Sequence, residues 1–443
     1  MELITSLPIV GGFLGAAIPF IIVLGIVVFV HEYGHYIVGR WCGIGAEVFS
    51  IGFGPELTGW TDKRGTRWRI AALPLGGYVK FVGDADGASR PDKAAVDQLS
   101  AEDRARSFFQ ASLSRRAATV AAGPVANFLL SIVVFAGLAI YGGIATDEPV
   151  VGEMPEGLQS LLPVREGDRI ERVNGVEITR FSDVYDALRG ADGEVALDIV
   201  RDEERLSLTS TDLNRPFIGG LRPLSPASQA GILPGDLILT VDGASITSLE
   251  EMQTRIGASE GEPVTIEVYR DDQTLSLTMT PELSDVQVED GFEKRVIIGV
   301  TIGPVLTPLG ETPDPFTALW FGVQRMLQVI TGSINGLYHM IAGDVSATNL
   351  QGPIGIAQVS GESAKVGIAS FIALVATIST AIGLLNLFPI PVLDGGHLVF
   401  YAIEGALGRQ LAERWVSLAM SVGLALVLLL MVFATYNDLS RLF

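Results

Sequence analysis

The stretch IPFIIVLGIVVFVHEYGHYIVG, residues 18–39, decides the architecture of this chain. It ends an apolar run that has no charged side chain from Leu3 to Val30, and it then brings in two histidines and a glutamate. A helix needs about 20 apolar residues to span a bilayer, so we expect a transmembrane helix here. Ionisable side chains in such a helix are costly and usually functional, so the HEYGH motif at 31–35 marks a candidate site.

The spacing of the HEYGH motif predicts a metal site. Residues four apart lie on the same face of a helix, so His31 and His35 can bind one ion together. Glu32 lies beside them and can act as general base on a metal-activated water. Only four histidines occur in the chain, and two of them belong to this motif. The single cysteine, Cys42, excludes an intrachain disulfide and a zinc site with several cysteines.

Composition places the chain among membrane proteins. Hydrophobic residues make up 48% and charged residues only 18%, with a mean hydropathy of +0.41. Three further stretches are long and apolar enough to span a bilayer, at 117–141, 366–387 and 415–436. We do not expect the first run to be a cleavable signal peptide, because Glu2 replaces a basic start and the run is too long.

The net charge of −20 is unevenly distributed. Region 147–365 carries 35 acidic against 15 basic residues, whereas 31–116 carries 10 against 12. Because Lys and Arg near membrane ends favour the cytoplasm, we expect 40–116 inside and 147–365 outside, with both termini outside. The acidic balance gives no support for nucleic-acid binding, which requires a basic patch.

An internal repeat lies in the acidic region. The segments REGDRIERVNG (165–175) and LPGDLILTVDG (233–243) match in pattern, and each precedes a predicted helix and strand pair. Asn-Gly and Asp-Gly are typical of tight hairpin turns. The pattern resembles two PDZ domains in tandem, which bind peptides by adding a strand to a sheet edge. Ile218, Gly219, Gly220 and Leu221 look like the loop that receives a peptide carboxylate. Spacers or size filters without a ligand are the alternative.

Two segments follow the repeat. Residues 296–300 are predicted to form a strand. The stretch 315–341 is amphipathic, and its apolar face could lie on the membrane surface or pack against other domains.

The third metal ligand is expected in NLFPIPVLDGGH, residues 386–397. Its prolines interrupt a helix, and irregular backbone at membrane depth is tolerated only inside protein or beside a cavity. A carboxylate there needs a cation, so Asp394 is the best candidate. Two alternatives remain, namely that Asp394 is a helix N-cap or that His397 is the ligand instead.

Together these motifs resemble the site-2 protease family of intramembrane zinc proteases. HExxH combined with NxxPxPxLDG carries the resemblance, which extends through FSIGFGP (49–55), PLGGYVK (74–80) and AAGPVAN (121–127). Tandem PDZ-like units between the second and third spans are similar to the branch found in Gram-negative bacteria. The resemblance covers nearly the whole chain.

The resemblance implies one zinc ion held by His31, His35 and Asp394, with Glu32 as the base. Asn386, Pro389 and Pro391 would hold the substrate, and Gly52, Gly54 and region 67–82 would pair with it as an added strand. The implied substrates are single-span membrane proteins already cut on the outer face, such as anti-sigma factors, or remnant signal peptides. Such enzymes act in stress responses in the bacterial inner membrane.

The predicted fold is a polytopic α-helical membrane protein with four transmembrane helices, a cytoplasmic β-rich membrane-associated segment and two extracytoplasmic α+β PDZ-like domains. The predicted limits are 1–40 for the first span with HExxH, 41–116 for the cytoplasmic β-hairpin and loops, 117–146 for the second span, 147–212 and 213–285 for the PDZ-like domains, 286–365 for a linker with the amphipathic helix, 366–394 for the third span, and 395–443 for a cytoplasmic turn and the fourth span.

Two other functions remain open from the sequence alone. The chain could be a membrane-anchored PDZ sensor that binds peptides and carries a structural metal, or a metal transporter, since buried His and Asp also mark ion paths. A structural zinc site usually has four protein ligands, and a transporter explains neither Glu32 nor the repeat.

Overall fold

A computed structural model describes residues 8–84, 100–154, 158–189, 193–222, 225–288 and 291–440. Two compact units are present, Met1–Leu138 with Pro315–Phe443, and Ala139–Asp314. The helices are α1 (Pro8–Trp41), α2 (Ala101–Ala105), α3 (Leu113–Gly142), α4 (Phe181–Arg189), α5 (Pro226–Ala230), α6 (Leu249–Ala258), α7 (Pro315–Ala342), α8 (Pro353–Val366), α9 (Ile368–Asn386), α10 (Asp394–Leu407) and α11 (Glu413–Ser440).

The strands fall into one long pair in the first unit and several shorter sheets in the second. They are β1 (Ala46–Thr61), β2 (Arg67–Phe81), β3 (Ile144–Ala145), β4 (Arg169–Val173), β5 (Val176–Glu177), β6 (Val195–Arg201), β7 (Glu204–Ser210), β8 (Phe217–Leu221), β9 (Leu237–Val241), β10 (Ala244–Ser245), β11 (Val264–Arg270), β12 (Gln273–Met279), β13 (Glu282–Val288), β14 (Gly291–Ile297), β15 (Val300–Gly303) and β16 (Gly310–Glu311).

Among the described residues, four helices are long and apolar enough to cross a membrane. They comprise Leu14–Trp41 of α1, Leu113–Gly142, Ile368–Asn386 and Arg414–Ser440. All four predicted apolar stretches therefore form helices of spanning length.

Helix α3 packs closely against its neighbours in the first unit. The Gly34 backbone of α1 lies against the Ala122 carbonyl of α3, where a larger residue would not fit. Towards α9, the Ser131 hydroxyl donates to the Ala376 carbonyl at 2.8 Å. Small residues and interhelical hydrogen bonds are what hold membrane helices together, because lipid provides no hydrophobic drive between them.

The paired strands β1 and β2 lie against the C-terminal part of α1. Residues 48–51 have partners on both sides, in 67–70 and in 77–80, which leaves segment 77–81 at an edge. Phe49 and Val79 are buried against Tyr36 of α1 and Tyr401 of α10. The β-hairpin predicted within 41–116 is therefore present, as β1 and β2.

Two polar contacts join helices of the first unit, one between α11 and α8 and one between α3 and α10. Asp438 near the end of α11 is buried, and its carboxylate accepts hydrogen bonds from the Gly352, Ile354 and Gly355 amides at the start of α8. This is an N-terminal helix cap provided by a distant residue. Arg116 of α3 pairs with Glu404 of α10 at 3.1 Å, and both side chains are largely buried. The second contact joins α10, which begins at Asp394, to α3.

The predicted amphipathic helix is present as α7. Ala318 and Gly322 are buried, and the Gly322 backbone lies against the Ile132 carbonyl of α3. Phe316 and Tyr338 are exposed. One part of the helix is therefore packed, and the apolar remainder is available to a membrane surface.

The second unit contains the predicted repeat. Its first sheet has the order β5-β4-β6-β7, and its second has the order β12-β11-β9-β8-β15 with β10 on β9. The Asx-Gly turns have positive φ at both positions, as type I′ hairpin turns require: 50° and 79° at Asn174 and Gly175, and 49° and 74° at Asp242 and Gly243. In both copies the Asx side chain accepts a backbone N–H of the next long strand, from Ala196 and Thr265.

The strand predicted at 296–300 differs from the structure. Residues 296–300 are not one strand, because Gly299 has φ +76° and the chain turns there, from β14 into β15. Strand β15 belongs to the second sheet, which therefore includes residues beyond 285. Val305 and Leu306 are buried in the core of the first repeat, and the Leu309 amide bonds to the Val150 carbonyl. The first repeat is thus completed by residues that follow the second, which local sequence similarity cannot indicate.

Candidate metal centre

Three side chains converge near the C-terminal part of α1. His31 Nε2 and His35 Nε2 lie 3.1 Å apart, and Asp394 Oδ2 lies 3.2 Å from the first and 3.5 Å from the second. Ligand atoms about 2.0–2.2 Å from a tetrahedral zinc ion are about 3.3–3.6 Å apart. The three atoms therefore have nearly the spacing of three corners of a zinc site. Among the residues that the structure describes, His31, His35 and Asp394 have ligand atoms close enough together to hold one metal ion.

Asp394 Oδ2 is buried and accepts no hydrogen bond of ordinary geometry. A buried carboxylate oxygen that accepts no such hydrogen bond is costly, and a cation at the centre of the triad removes that cost. The N-cap alternative does not fit, because Leu393 is the N-cap of α10 and Asp394 is its first residue. The donor set of two imidazoles and one carboxylate suits zinc and leaves a fourth position open.

Helix α3 packs against both histidine rings. The His35 Nδ1–H donates to the Thr119 carbonyl at 2.9 Å, which leaves the Nε2 lone pair facing the triad. The motif AAGPVAN (121–127) lies on this helix, but no role was predicted for Thr119, Gly123 or Asn127. Their spacing of four residues, which places them on one face of α3, is the signal that was available.

We expect Gly123→Ala to reduce zinc binding and cleavage by at least about tenfold, as a disturbance of the groups around a metal ligand typically does. A Cβ at this position would collide with the His35 ring and would lie 2.9 Å from His31 Cε1. The measurement is zinc per chain after dialysis against a weak chelator. Gly137→Ala, on the same helix with open space around it, is the matched control. Full zinc occupancy in the Gly123 variant would contradict the close approach described here.

Glu32 faces the same cavity as the triad. Its carboxylate accepts a hydrogen bond from the Val79 amide of β2, and the Gly77 backbone lies close to its Cγ. The cavity, of about 200 Å³, is lined by His31, Glu32, His35, Gly77, Tyr78, Val79, Phe81, Thr119, Val120, Asn386, Val392, Asp394 and His397. Since one water occupies about 30 Å³ in the liquid, the cavity has room for several waters or for part of a peptide.

The segment between α9 and α10 brings Asn386 to the cavity. Asn386 ends α9 and lines the cavity, whereas Pro389 and Pro391 are not among its lining residues. The Pro391 carbonyl instead lies against Gly423 of α11. Val392, which does line the cavity, has φ +97°, a conformation that β-branched residues rarely adopt. This turn leads the chain directly into Asp394.

His397 lies on the first turn of α10 and lines the cavity without belonging to the triad. Burial lowers the pKa of its imidazole, which favours the neutral form. Gly52 and Gly54 do not line the cavity; they have φ +88° and +86° where β1 bends.

The residues of the predicted carboxylate loop in the second repeat already pair with another strand of the chain. Its four residues, Ile218, Gly219, Gly220 and Leu221, belong to β8, which pairs with β15. The Ile218 amide donates to the Asp236 carbonyl at 2.8 Å. Strand addition needs a free edge, so this segment does not fit the role that was predicted for it. The terminal strand of that sheet is β15.

Comparison with known proteins places the chain in a family. The model of peptidase family M50 matches residues 19–430. A protein of Agrobacterium fabrum, provisionally named a zinc metalloprotease, is 40% identical over 438 residues, which cover 97% of each chain. A Rhizobium meliloti protein with the same provisional name is 38% identical over 431 residues, 96% of each chain. The regulator of sigma E protease of Salmonella typhi is 35% identical over 458 residues, 96% of this chain and 98% of that one. The chain thus belongs to peptidase family M50, and it is a membrane-embedded zinc metalloprotease of the site-2 protease type.

Proposed function

We propose that this protease is an intramembrane endopeptidase that cuts the transmembrane segment of single-span membrane proteins after a first cut on their outer face. The observation that carries the proposal is the position of the metal centre. His31 is ten residues before the end of the candidate span Leu14–Trp41, or about 15 Å along the helix. Peptide hydrolysis at this site therefore takes place inside the span rather than in an external domain.

The residues in the cavity have distinct roles in this proposal. His31, His35 and Asp394 would hold the zinc ion, which when bound would supply Lewis acidity and lower the pKa of a water molecule. Glu32 takes the proton of the attacking water and delivers it to the leaving amine. The Val79 amide orients the Glu32 carboxylate for this transfer.

Substrate binding in this proposal uses the edge of β2. A membrane helix hides its carbonyl groups, so the scissile segment must be extended before it can be cut. Segment 77–81 is an edge, and Gly77 and Val79 line the cavity beside Glu32. An extended substrate added at this edge would have its backbone next to the base. Asn386 lines the same cavity and is a further substrate contact, whereas Gly52 and Gly54 act by bending β1.

The predicted topology is retained as part of the proposal. The β1–β2 pair exposes Phe53, Leu57, Trp60 and Leu73 on its outer part, which suits a membrane-associated segment on the cytoplasmic side. The repeats of the second unit are proposed as PDZ-like domains outside the bacterial inner membrane. They act either as peptide binders or as size filters that admit trimmed substrates. A peptide added to the second repeat would use the outer edge of β15.

Substrates of the anti-sigma factor class fit this arrangement, because a single-span protein that has lost its outer domain can pass such a filter. The alternative of a membrane-anchored sensor with a structural metal is weakened by the donor set. A closed structural zinc site needs about four protein ligands, and the described residues provide a group of three.

The test is cleavage of a tagged single-span substrate by the purified, zinc-loaded full chain in detergent. Two substrate forms are compared, one with and one without the outer domain. We expect the shortened form to be cut within its span, as shown by fragment masses, at a rate at least about tenfold above that of the long form. A zinc chelator should abolish cleavage and added zinc should restore it.

The results of this experiment test the intramembrane mechanism, the size-filter role and the substrate class separately. Cleavage only outside the span, or cleavage that persists without zinc, contradicts the intramembrane mechanism. Equal cleavage of both substrate forms contradicts the size-filter role but leaves the mechanism standing. No cleavage of either form at one zinc per chain contradicts the proposed substrate class.

A further inference from the structure

Asn127 lies against the ring of His31 on the side opposite the triad. Its Nδ2 is 3.3 Å from His31 Nδ1, and the residue is completely buried. Its Oδ1 is also buried and has no hydrogen-bond partner in this orientation. A buried amide with an unpaired oxygen next to an imidazole nitrogen needs an explanation, because such atoms are almost always paired.

The chemistry of a zinc-bound histidine supplies that explanation. A neutral imidazole that binds zinc through Nε2 carries its proton on Nδ1 and must donate it. With Asn127 Nδ2 facing Nδ1, two donors would meet. A half-turn of the amide exchanges its nitrogen and oxygen, and Oδ1 then accepts the Nδ1–H. Asn127 Oδ1 and the His31 Nδ1–H are then paired with each other.

The second histidine has the same arrangement. His35 Nδ1–H donates to the Thr119 carbonyl at 2.9 Å. Thr119, Gly123 and Asn127 are four residues apart, so one face of α3 supplies an acceptor for each ring and a gap between them. The Asn127 carbonyl is in turn fixed by the Ser379 hydroxyl of α9 at 2.9 Å. The acceptor for His31 is therefore held on a rigid element.

We propose that Asn127 is a positioning residue for the metal centre. Its Oδ1 accepts the Nδ1–H of His31, which holds the ring in the tautomer and orientation whose Nε2 faces the zinc. The inference rests on the proposed role of His31 as a zinc ligand. It assigns to α3 the orientation of both histidines, in addition to its function as a membrane span.

The test measures zinc affinity directly, on purified full-length protein in competition with a chelating dye. Asn127→Leu keeps the side-chain volume and removes the acceptor, so we expect zinc affinity to fall about 10–100-fold, the usual loss for such a partner. Asn127→Asp keeps an acceptor oxygen at the same place and should stay within about tenfold of wild type, at the near end of that range. Visible spectra of the cobalt-substituted proteins should show the same order of metal binding, with wild type strongest, Asn127→Asp next and Asn127→Leu weakest.

The matched control is Ser131→Ala, one turn further along the same face. Ser131 is completely buried and its hydroxyl donates to the Asn127 and Ala376 carbonyls, but it does not touch a histidine. Loss of helix packing alone should lower the thermal stability of this variant and leave its zinc affinity unchanged.

Three results separate the possibilities. Wild-type zinc affinity in a folded Asn127→Leu variant overturns the inference. Equal loss in Asn127→Leu and Asn127→Asp also overturns it, because shape and not the acceptor would then be decisive. Wild-type zinc affinity in His31→Ala contradicts the proposed ligand set itself, which is a failure distinct from that of Asn127.

Discussion

Glu32→Gln is expected to reduce cleavage by about 10²–10⁴-fold, the usual contribution of a general base, while one zinc ion stays bound. Glutamine has the size and shape of glutamate but cannot accept the proton of an attacking water. Its amide oxygen can still accept the hydrogen bond that the Val79 amide donates to Glu32. The group that is positioned to hold zinc does not include Glu32. Only proton transfer should therefore be lost.

The experiment compares turnover of a shortened single-span substrate with zinc content measured on the same protein sample. Glu102→Gln is the matched control, because it makes the same chemical change at an exposed position of α2. This variant should cleave the substrate at the wild-type rate. Turnover of Glu32→Gln within about tenfold of wild type, well short of the loss of a general base, would show that another group is the base. Loss of zinc together with activity would place Glu32 in the metal-binding group instead.

Sequence reasoning succeeded where the signal is carried by neighbouring residues. The four apolar runs predicted helices of spanning length because lipid leaves a single-chain segment few other ways to pair its backbone. The i, i+4 spacing of His31 and His35 predicted that the two side chains lie together because helix geometry is fixed, and their Nε2 atoms are 3.1 Å apart. The Asn174-Gly175 turn was recognisable because few residue pairs tolerate two positive φ angles.

It also placed Asp394 with the histidines, by a less direct route. A carboxylate after two prolines in an apolar segment has few acceptable surroundings, and a cation is one of them. The structure brings Asp394 Oδ2 to 3.2 Å from His31 Nε2. The prediction therefore followed from the energetic cost of burying a charge and did not require the fold to be known.

It failed where the answer depends on a partner far along the chain. Residues 218–221 resemble a loop that receives a peptide carboxylate, but β15, about 80 residues later, pairs with them. Asn127 was part of a quoted motif, yet its role depends on which face of α3 meets α1. Crossing geometry of this kind is set by packing of both helices and cannot be read from either one alone.

Asp394→Ala is expected to lower zinc affinity by more than about 100-fold, above the loss caused by removing a partner that only orients a ligand. Asp394 provides the carboxylate of the triad, and two imidazoles alone leave the ion with fewer ligands than catalytic zinc sites have. Cleavage should fall with zinc occupancy, and excess zinc should restore little of it. The measurement is zinc per chain by elemental analysis, after dialysis against chelators of graded strength.

His397→Ala decides between the two candidates for the third ligand. Both residues lie on the first turn of α10 and line the cavity, and the neutral imidazole of His397 is chemically able to bind zinc. Its ring is nevertheless outside the group whose ligand atoms converge, whereas Asp394 Oδ2 is within 3.5 Å of both histidine nitrogens. We therefore expect His397→Ala to keep its zinc and Asp394→Ala to lose it. The opposite result would move the third ligand three residues along α10 and would leave the buried Asp394 carboxylate without its cation.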